Sequence, residues 1–316
     1  MDAPDLNALL DHWQLSEPCT LQQLDSGTNN LSYQVATPAG EFLLRVYRNG
    51  AERERVTYEH ALLQALDQAQ LAFAVPVPLA AASGKTCFEV ATVDRLAAVF
   101  SWLPGSHPSL DLDSLRICAR AVAKLDGAMA NLDLGTPSGG LDLLGDLYHV
   151  HPSVPNPLAV TDELPLSPDE RADISRLMET AIVGSNRLYA GGLPQQIVHR
   201  DLDPSNLFMA EDRVTAVFDF EAARPDLRAF DLAISTMTFS TDTAMREAFV
   251  SAYTESLPLA RQELDALPML MVIYRAMSLI SREGRRREGH ASEGAVVARA
   301  RSFLAEAERQ HRQIRG

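Results

Sequence analysis

The hydrophobic rhythm of the chain changes about a third of the way along. Before that point, short runs alternate apolar and polar positions, as half-buried strands do. "LSYQVAT", the turn "PAG" and "EFLLRVY" (residues 31–47) read as a hairpin. "CTLQQLDS" (Cys19 to Ser26) predicts a strand leading into the polar turn "GTNN". "VPVPLAAAS-GK-TCFEVAT" (75–92) predicts a second hairpin, and "LAAVFSWLPG" (96–105) a buried strand halted by Pro104-Gly105. One helix interrupts these strands: in "AERERVTYEHALLQALDQAQ" (51–70), Val56, Leu62, Leu63 and Leu66 recur at helical spacing.

Beyond Pro104 the period lengthens. "LDLDSLRICARAVAKLDGAMANL" (110–132) is amphipathic at helical spacing. Leu132 to Pro165 is rich in Pro and Gly and predicts an excursion with little regular structure. Ser167-Pro168-Asp169-Glu170 then starts a helix, with Ser as cap, Pro at the first position and Glu three residues after the cap. That helix runs to about Ala190 and stops at Gly191-Gly192. Two short strands flank "VHRDLDPSN", and the chain beyond Asp226 reads as helical. These elements predict an α+β protein in two parts, residues 1–103 and 104–316.

Composition adds limits. The 316 residues are 46% hydrophobic, an ordinary share for a water-soluble domain, with no apolar run of membrane-spanning length. The start "MDAPDLNALLDHWQL" lacks the basic and apolar succession of a signal peptide. Cys19, Cys87 and Cys118 lie far apart, which fits a reducing cytoplasm better than a zinc site or a disulfide scaffold. A formal charge of −14 opposes nucleic acid and anionic membranes as partners. The basic run "SREGRRREGH" (281–290) stands against that trend and reads as a solvated helix end. Met237, Met245, Met269, Met271 and Met277 read as helical core, and His107, His149 and His151 as structural or exposed.

The densest chemistry lies in "HRDLDPSNLFMAEDRVTAVFDFE" (199–221). Leu207 to Met209 and Val214 to Phe218 are apolar segments around the polar turn "AEDR". Folded as a hairpin, they return Asp219 to the level of Asn206, putting an amide oxygen beside a carboxylate. Magnesium takes oxygen ligands and often only one or two from protein. Asp201, five residues before Asn206, is placed to accept a proton from a substrate hydroxyl near such a metal. "DLDPSN" also imitates a calcium loop. However, its sixth position is Asn206 where glycine is required, and its twelfth is Asp212 where glutamate is.

His199-x-Asp201-x-x-x-x-Asn206 followed by Asp219-Phe220-Glu221 resembles the catalytic loop and metal segment of the protein-kinase-like phosphotransferases. More narrowly it resembles the aminoglycoside phosphotransferase, choline kinase and type II homoserine kinase group. The resemblance implies a bilobal fold, with a small antiparallel-sheet N-lobe carrying one helix and a larger, mainly helical C-lobe. It implies ATP and Mg2+ as cofactors and a small-molecule hydroxyl acceptor, one carrying a cation near the hydroxyl. By the same resemblance Asp201 is the catalytic base, and Asn206 and Asp219 hold the metal. His199 and Asp231 give structural support. Ser26, Gly27, Thr28, Asn29 and Asn30 form the phosphate-covering loop. Arg45 takes the place of the phosphate-pairing lysine, with Glu59 as its ion-pair partner. Phe100, Ser101 and Trp102 form the hinge whose backbone meets adenine.

Several positions depart from the pattern. Arg45 is not lysine, and its planar fork makes different phosphate contacts. Asp203 stands where the group often has histidine. Nine residues separate Glu221 from Asp231, too few for the activation segment of a protein kinase. "VFDFEAARPDLRAFDLAIS" and "GEFLLRVY" look closest to the homoserine kinase branch. The rival reading, a nucleotide-binding pseudokinase with a regulatory role, requires damage at Asp201, Asn206 or Asp219, and all three are present.

Overall fold

A computed structural model describes residues 3–15, 19–24, 30–47, 53–90, 95–135 and 143–315. The chain forms two compact units. One comprises residues 1–140 with 204–223, the other 141–203 with 224–316.

The first unit is built on a five-stranded antiparallel sheet of β1 (Thr20–Leu24), β2 (Asn30–Thr37), β3 (Gly40–Tyr47), β4 (Phe88–Glu89) and β5 (Leu96–Ser101), in the order β1-β2-β3-β5-β4. The predicted hairpin is present: Thr37 pairs with Gly40 across a two-residue turn, and Gly40 has φ 138°. Alternation along β3 divides its side chains between the two faces. Leu44 and Val46 join Tyr33, Val35, Ala97 and Val99 in a core cluster. That cluster is closed by Leu6, Leu9, Leu10 and Trp13, from a short N-terminal helix α1 (Ala3–Leu10) and the turn after it. Arg45 and Tyr47 point to the opposite face, where α2 (Arg53–Gln68) presents Glu59 and His60.

The expected second hairpin is not regular. Its first arm, 75–82, makes only an isolated bridge between Pro78 and Phe100, flanked by single bonds such as Ser101 N–H to Val77 O (2.9 Å). Pro76 and Pro78 have no N–H to extend a ladder. Its second arm forms the two-residue β4.

The same unit takes α3 (Leu112–Met129), capped by the Asp111 carboxylate on the amides of Asp113 and Ser114. A hairpin of β7 (Leu207–Ala210) and β8 (Arg213–Val217) joins it; β6 (Gln195–Val198) lies earlier in the chain and in the other unit. The hairpin is bonded to Ala74 on one side and to Ser106 on the other.

The second unit is mainly helical: α4 (Pro168–Ala190), α5 (Ala229–Phe239), α6 (Thr243–Ser256), α7 (Arg261–Arg287) and α8 (Glu293–Arg315). The capping box at Ser167 and Glu170 forms as the sequence predicts. Not legible in the sequence is β9 (Arg224–Leu227), which pairs antiparallel with β6. The 143–165 stretch holds one 3-10 turn, Pro157–Ala159, and anchors Val154, Val160 and Leu164 in the core.

Helix α7 is long and apolar enough to cross a membrane, yet half of its apolar window is buried against the rest of the protein. It packs on α4, α5 and α8. Met237, Met245 and Met271 are buried in this helical core, while Met269 and Met277 are half-buried. The basic run is not simply solvated. Arg286 and Arg287 both donate to the buried Glu283, and Arg286 also reaches Glu163. Arg287 further donates to Ser153 O (2.9 Å).

Candidate active site

In the first unit, the alternation of β3 puts Arg45 and Tyr47 on one face. Arg45 Nη1 donates to Glu59 Oε1 and Tyr47 OH to Glu59 Oε2, each at 3.0 Å. All three side chains are buried. Burial by itself lowers the pKa of Arg45, but Glu59 and then Asp219 outweigh it, so the net shift is upward and Arg45 stays charged. Burial pushes Glu59 up to about 7, with Arg45 the largest opposing influence. His60, bonded to Tyr47 at 3.3 Å, is driven down to about 3 by burial and then by Arg45, and is neutral. The Arg45 guanidinium lies 5.4 Å from the centroid of the Phe100 ring.

On the β7–β8 hairpin, Phe218 N–H donates to Asn206 O (3.1 Å), so Asn206 and Asp219 occupy neighbouring positions at its open end. Asp219 adopts a left-handed backbone, φ 69° and ψ 56°. An L-residue there carries a strain typical of functional sites. Asp219 Oδ1 lies 3.9 Å from Arg45 Nη2. Two residues on, Glu221 accepts from Asn30 Nδ2 at 2.6 Å.

Three carboxylates, Glu59, Asp219 and Glu221, thus share the surroundings of Arg45. The surplus negative charge and the hard oxygens of Asn206 and Asp219 suit a small divalent cation. Among the described residues, no group of three or more His, Cys, Asp or Glu side chains is placed to hold a metal alone. A magnesium held by Asn206 and Asp219 would take its other ligands from phosphate and water.

Of the expected hinge, Phe100 is buried and Ser101 gives its N–H to Val77 O. Trp102 follows just past the end of β5. Ser26, Gly27, Thr28 and Asn29 lie outside the described residues, and Asn30 opens β2.

The second unit holds Asp201. Asp231, in the first turn of α5 and fully buried, accepts the backbone N–H groups of His199 (2.5 Å) and Arg200 (2.8 Å). His199 is also buried, and its Nδ1 accepts the N–H of Asp201 at 3.3 Å. Arg200 turns the chain with φ 71°. One carboxylate and one imidazole therefore hold three consecutive amides of this loop. Leu202 O accepts from Thr238 Oγ1 at 2.9 Å, tying the next residue to α5.

Several contributors escaped the sequence reading. Tyr47 was findable, since it lies two positions from Arg45 on one strand and so shares its face. Buried Asp226 accepts from Leu144 N–H, Tyr189 OH and Leu227 N–H, with Arg200 Nε at 3.9 Å. Nothing in its sequence neighbourhood marks it, because all of these partners but Leu227 come from three distant segments. Tyr274 on α7 is half-buried, and its pKa is pushed up to about 12 by loss of solvent and then by Asp201.

A model of the phosphotransferase enzyme family matches residues 20–267. The chain belongs to that family and is a kinase of α+β, protein-kinase-like fold. The homoserine kinase of Acidiphilium cryptum (strain JF-5) is 26% identical over 278 residues, covering 84% of this chain and 81% of its own. The homoserine kinase of Rhodopseudomonas palustris (strain ATCC BAA-98 / CGA009) is 28% identical over 286 residues, covering 85% and 80%. Among solved structures, a microcompartment-associated aminopropanol kinase superposes with a TM-score of 0.78 at 22% identity, covering 99% of this chain and 98% of its own.

Proposed function

We propose that the enzyme transfers the γ-phosphoryl group of ATP, bound with magnesium, to a hydroxyl of a small molecule. The observation that carries the reading is the buried Arg45–Glu59 pair beside Asp219: a charged fork fixed by one carboxylate and adjoining another at the hairpin end. Arg45 holds phosphate oxygens, and Glu59 with Tyr47 keeps its fork in one orientation. Asn206 and Asp219 hold the magnesium, which when bound neutralises phosphate charge. The backbone of 100–102 meets adenine.

Asp201 orients the acceptor hydroxyl and accepts its proton as the new bond to phosphorus forms. Its loop is held by Asp231 and His199, so Asp201 meets the hydroxyl already oriented, and little free energy is spent on ordering it. The acceptor class includes homoserine, aminoglycosides and choline-like amino alcohols, with homoserine favoured by the kinases of that name among its relatives. An ATP-consumption screen over amino alcohols, hydroxy amino acids, aminoglycosides and sugars, with phosphorus NMR of the product, tests the reading. A phosphate ester formed only with a small hydroxyl compound is expected. Tight ATP binding with no acceptor consumed would overturn it.

A further inference from the structure

We infer that His60 is a positioning residue for phosphate binding: with its proton on Nε2 it donates to the Tyr47 oxygen, and so commits the Tyr47 hydroxyl to Glu59, the carboxylate that fixes Arg45. The inference rests on the reading of Arg45 as the phosphate-holding group and deepens it.

Glu59 and His60 are neighbours on α2, and both reach the same phenol on β3. The Tyr47 hydroxyl lies 3.0 Å from Glu59 Oε2 and 3.3 Å from His60 Nε2. All three side chains are buried. The hydroxyl has no other partner among the described residues. It owns one hydrogen, so it donates to one of the two neighbours only. On the far side of the imidazole, His60 Nδ1 lies 2.7 Å from Oγ1 of the half-buried Thr86, in the segment leading into β4. The imidazole also packs nearly perpendicular to the Phe100 ring, with centroids 5.3 Å apart and planes at 86°. The Arg45 guanidinium lies over that same ring.

His60 is neutral because burial, and then the charge of Arg45, disfavour its protonated form. A neutral imidazole carries one N–H, and the bond made by one nitrogen decides which of the two holds it. With the proton on Nε2, Thr86 donates to Nδ1, His60 to Tyr47 and Tyr47 to Glu59, and every group in the chain is satisfied. With the proton on Nδ1, bare Nε2 and the ionised Glu59 Oε2 compete for one hydrogen, and a buried acceptor goes unmet, which is costly. The 2.7 Å contact has the length typical of a bond donated by a hydroxyl. Thr86 thereby selects the tautomer, and the tautomer assigns the Tyr47 hydrogen. That hydrogen and Arg45 Nη1 then engage the two oxygens of Glu59. A carboxylate held at both oxygens keeps Arg45 aimed beside Asp219.

The test has two arms, both run well above pH 7, where Glu59 is ionised. Heteronuclear NMR of the histidine nitrogens in the wild type reads the tautomer without any substitution, and the His60 proton should sit on Nε2. Calorimetry of MgATP binding reads the role. His60→Leu should weaken MgATP binding about two- to tenfold, the loss expected of one hydrogen bond. Tyr47→Phe should weaken it at least as much. Adding His60→Leu to Tyr47→Phe should weaken it no further, because His60 acts through that hydroxyl. A merely structural loss adds instead. The failures are separable. A wild type without MgATP affinity sinks the phosphate reading of Arg45 and the inference with it. A wild type that binds MgATP but carries the proton on Nδ1, or variants whose losses add, overturns the inference alone. Should the variants not fold, the wild-type tautomer decides.

Discussion

Asp231→Ala removes the acceptor that holds the Asp201 loop. The Asp231 carboxylate is fully buried and takes the N–H groups of His199 and Arg200. Without it, two buried amides lose their acceptor, at about 1–3 kcal/mol each. Recovery of the cost of burying the carboxylate offsets part of this. A net loss of about 3 kcal/mol is expected, a large share of the roughly 5–15 kcal/mol that holds a typical domain folded. Because the damage is local, hydrogen exchange is the sharper assay. Amide protection over residues 197–203 should fall about a hundredfold, the equivalent of about 3 kcal/mol. Asp231→Asn keeps one acceptor oxygen and should lose about half as much. Turnover should fall in both variants, because Asp201 follows the two released amides directly. If exchange at His199 and Arg200 were unchanged in Asp231→Ala, the proposed anchoring of the loop would be wrong.

Glu59 makes stability depend on pH. It is protonated in the fold below about 7 but in the unfolded chain only below about 4.5, so the folded state binds the extra proton between those values. Its contribution should therefore fall as pH rises from 4.5 to 7, by about 1 kcal/mol per unit. Urea denaturation of wild type against Glu59→Gln across that window checks this, and a difference that is flat or rises with pH refutes it. Asp219→Ala should weaken magnesium-dependent ATP binding at least about tenfold by calorimetry, and unchanged affinity would remove Asp219 from the metal. Gly284→Ala would put a Cβ 2.1 Å from the His151 ring, which packs on α7 there. We expect a loss of about 1–3 kcal/mol in denaturant unfolding, and a loss below about 0.5 kcal/mol would show that the ring moves aside freely.

Much of this was legible because local rules and tertiary structure agree. The 31–47 hairpin and the capping box at Ser167 each carry their signal within a few residues, while β5 ends at Ser101, three residues before the Pro104-Gly105 break that the sequence marks. The Arg45–Glu59 contact was legible by resemblance, and the alternation of β3 explains why Tyr47 joins it. What escaped depends on distant segments. Strand β9 is four residues long and holds a proline, and its pairing with β6 comes from tertiary context. Helix α1 is too short for a clear period, and its burial against the sheet stabilises it. Asp226 gains its partners Leu144, Tyr189 and Arg200 only once segments far apart in sequence come together. The 75–92 segment looked like a hairpin because its apolar residues alternate with prolines, which carry the pattern without the hydrogen bonds.

The most direct test of phosphotransfer through Asp201 is single-turnover kinetics of Asp201→Asn with MgATP and an accepted hydroxyl compound. The account predicts near-normal MgATP affinity with turnover reduced about a hundred- to ten-thousandfold. Turnover within a fewfold of wild type would contradict it.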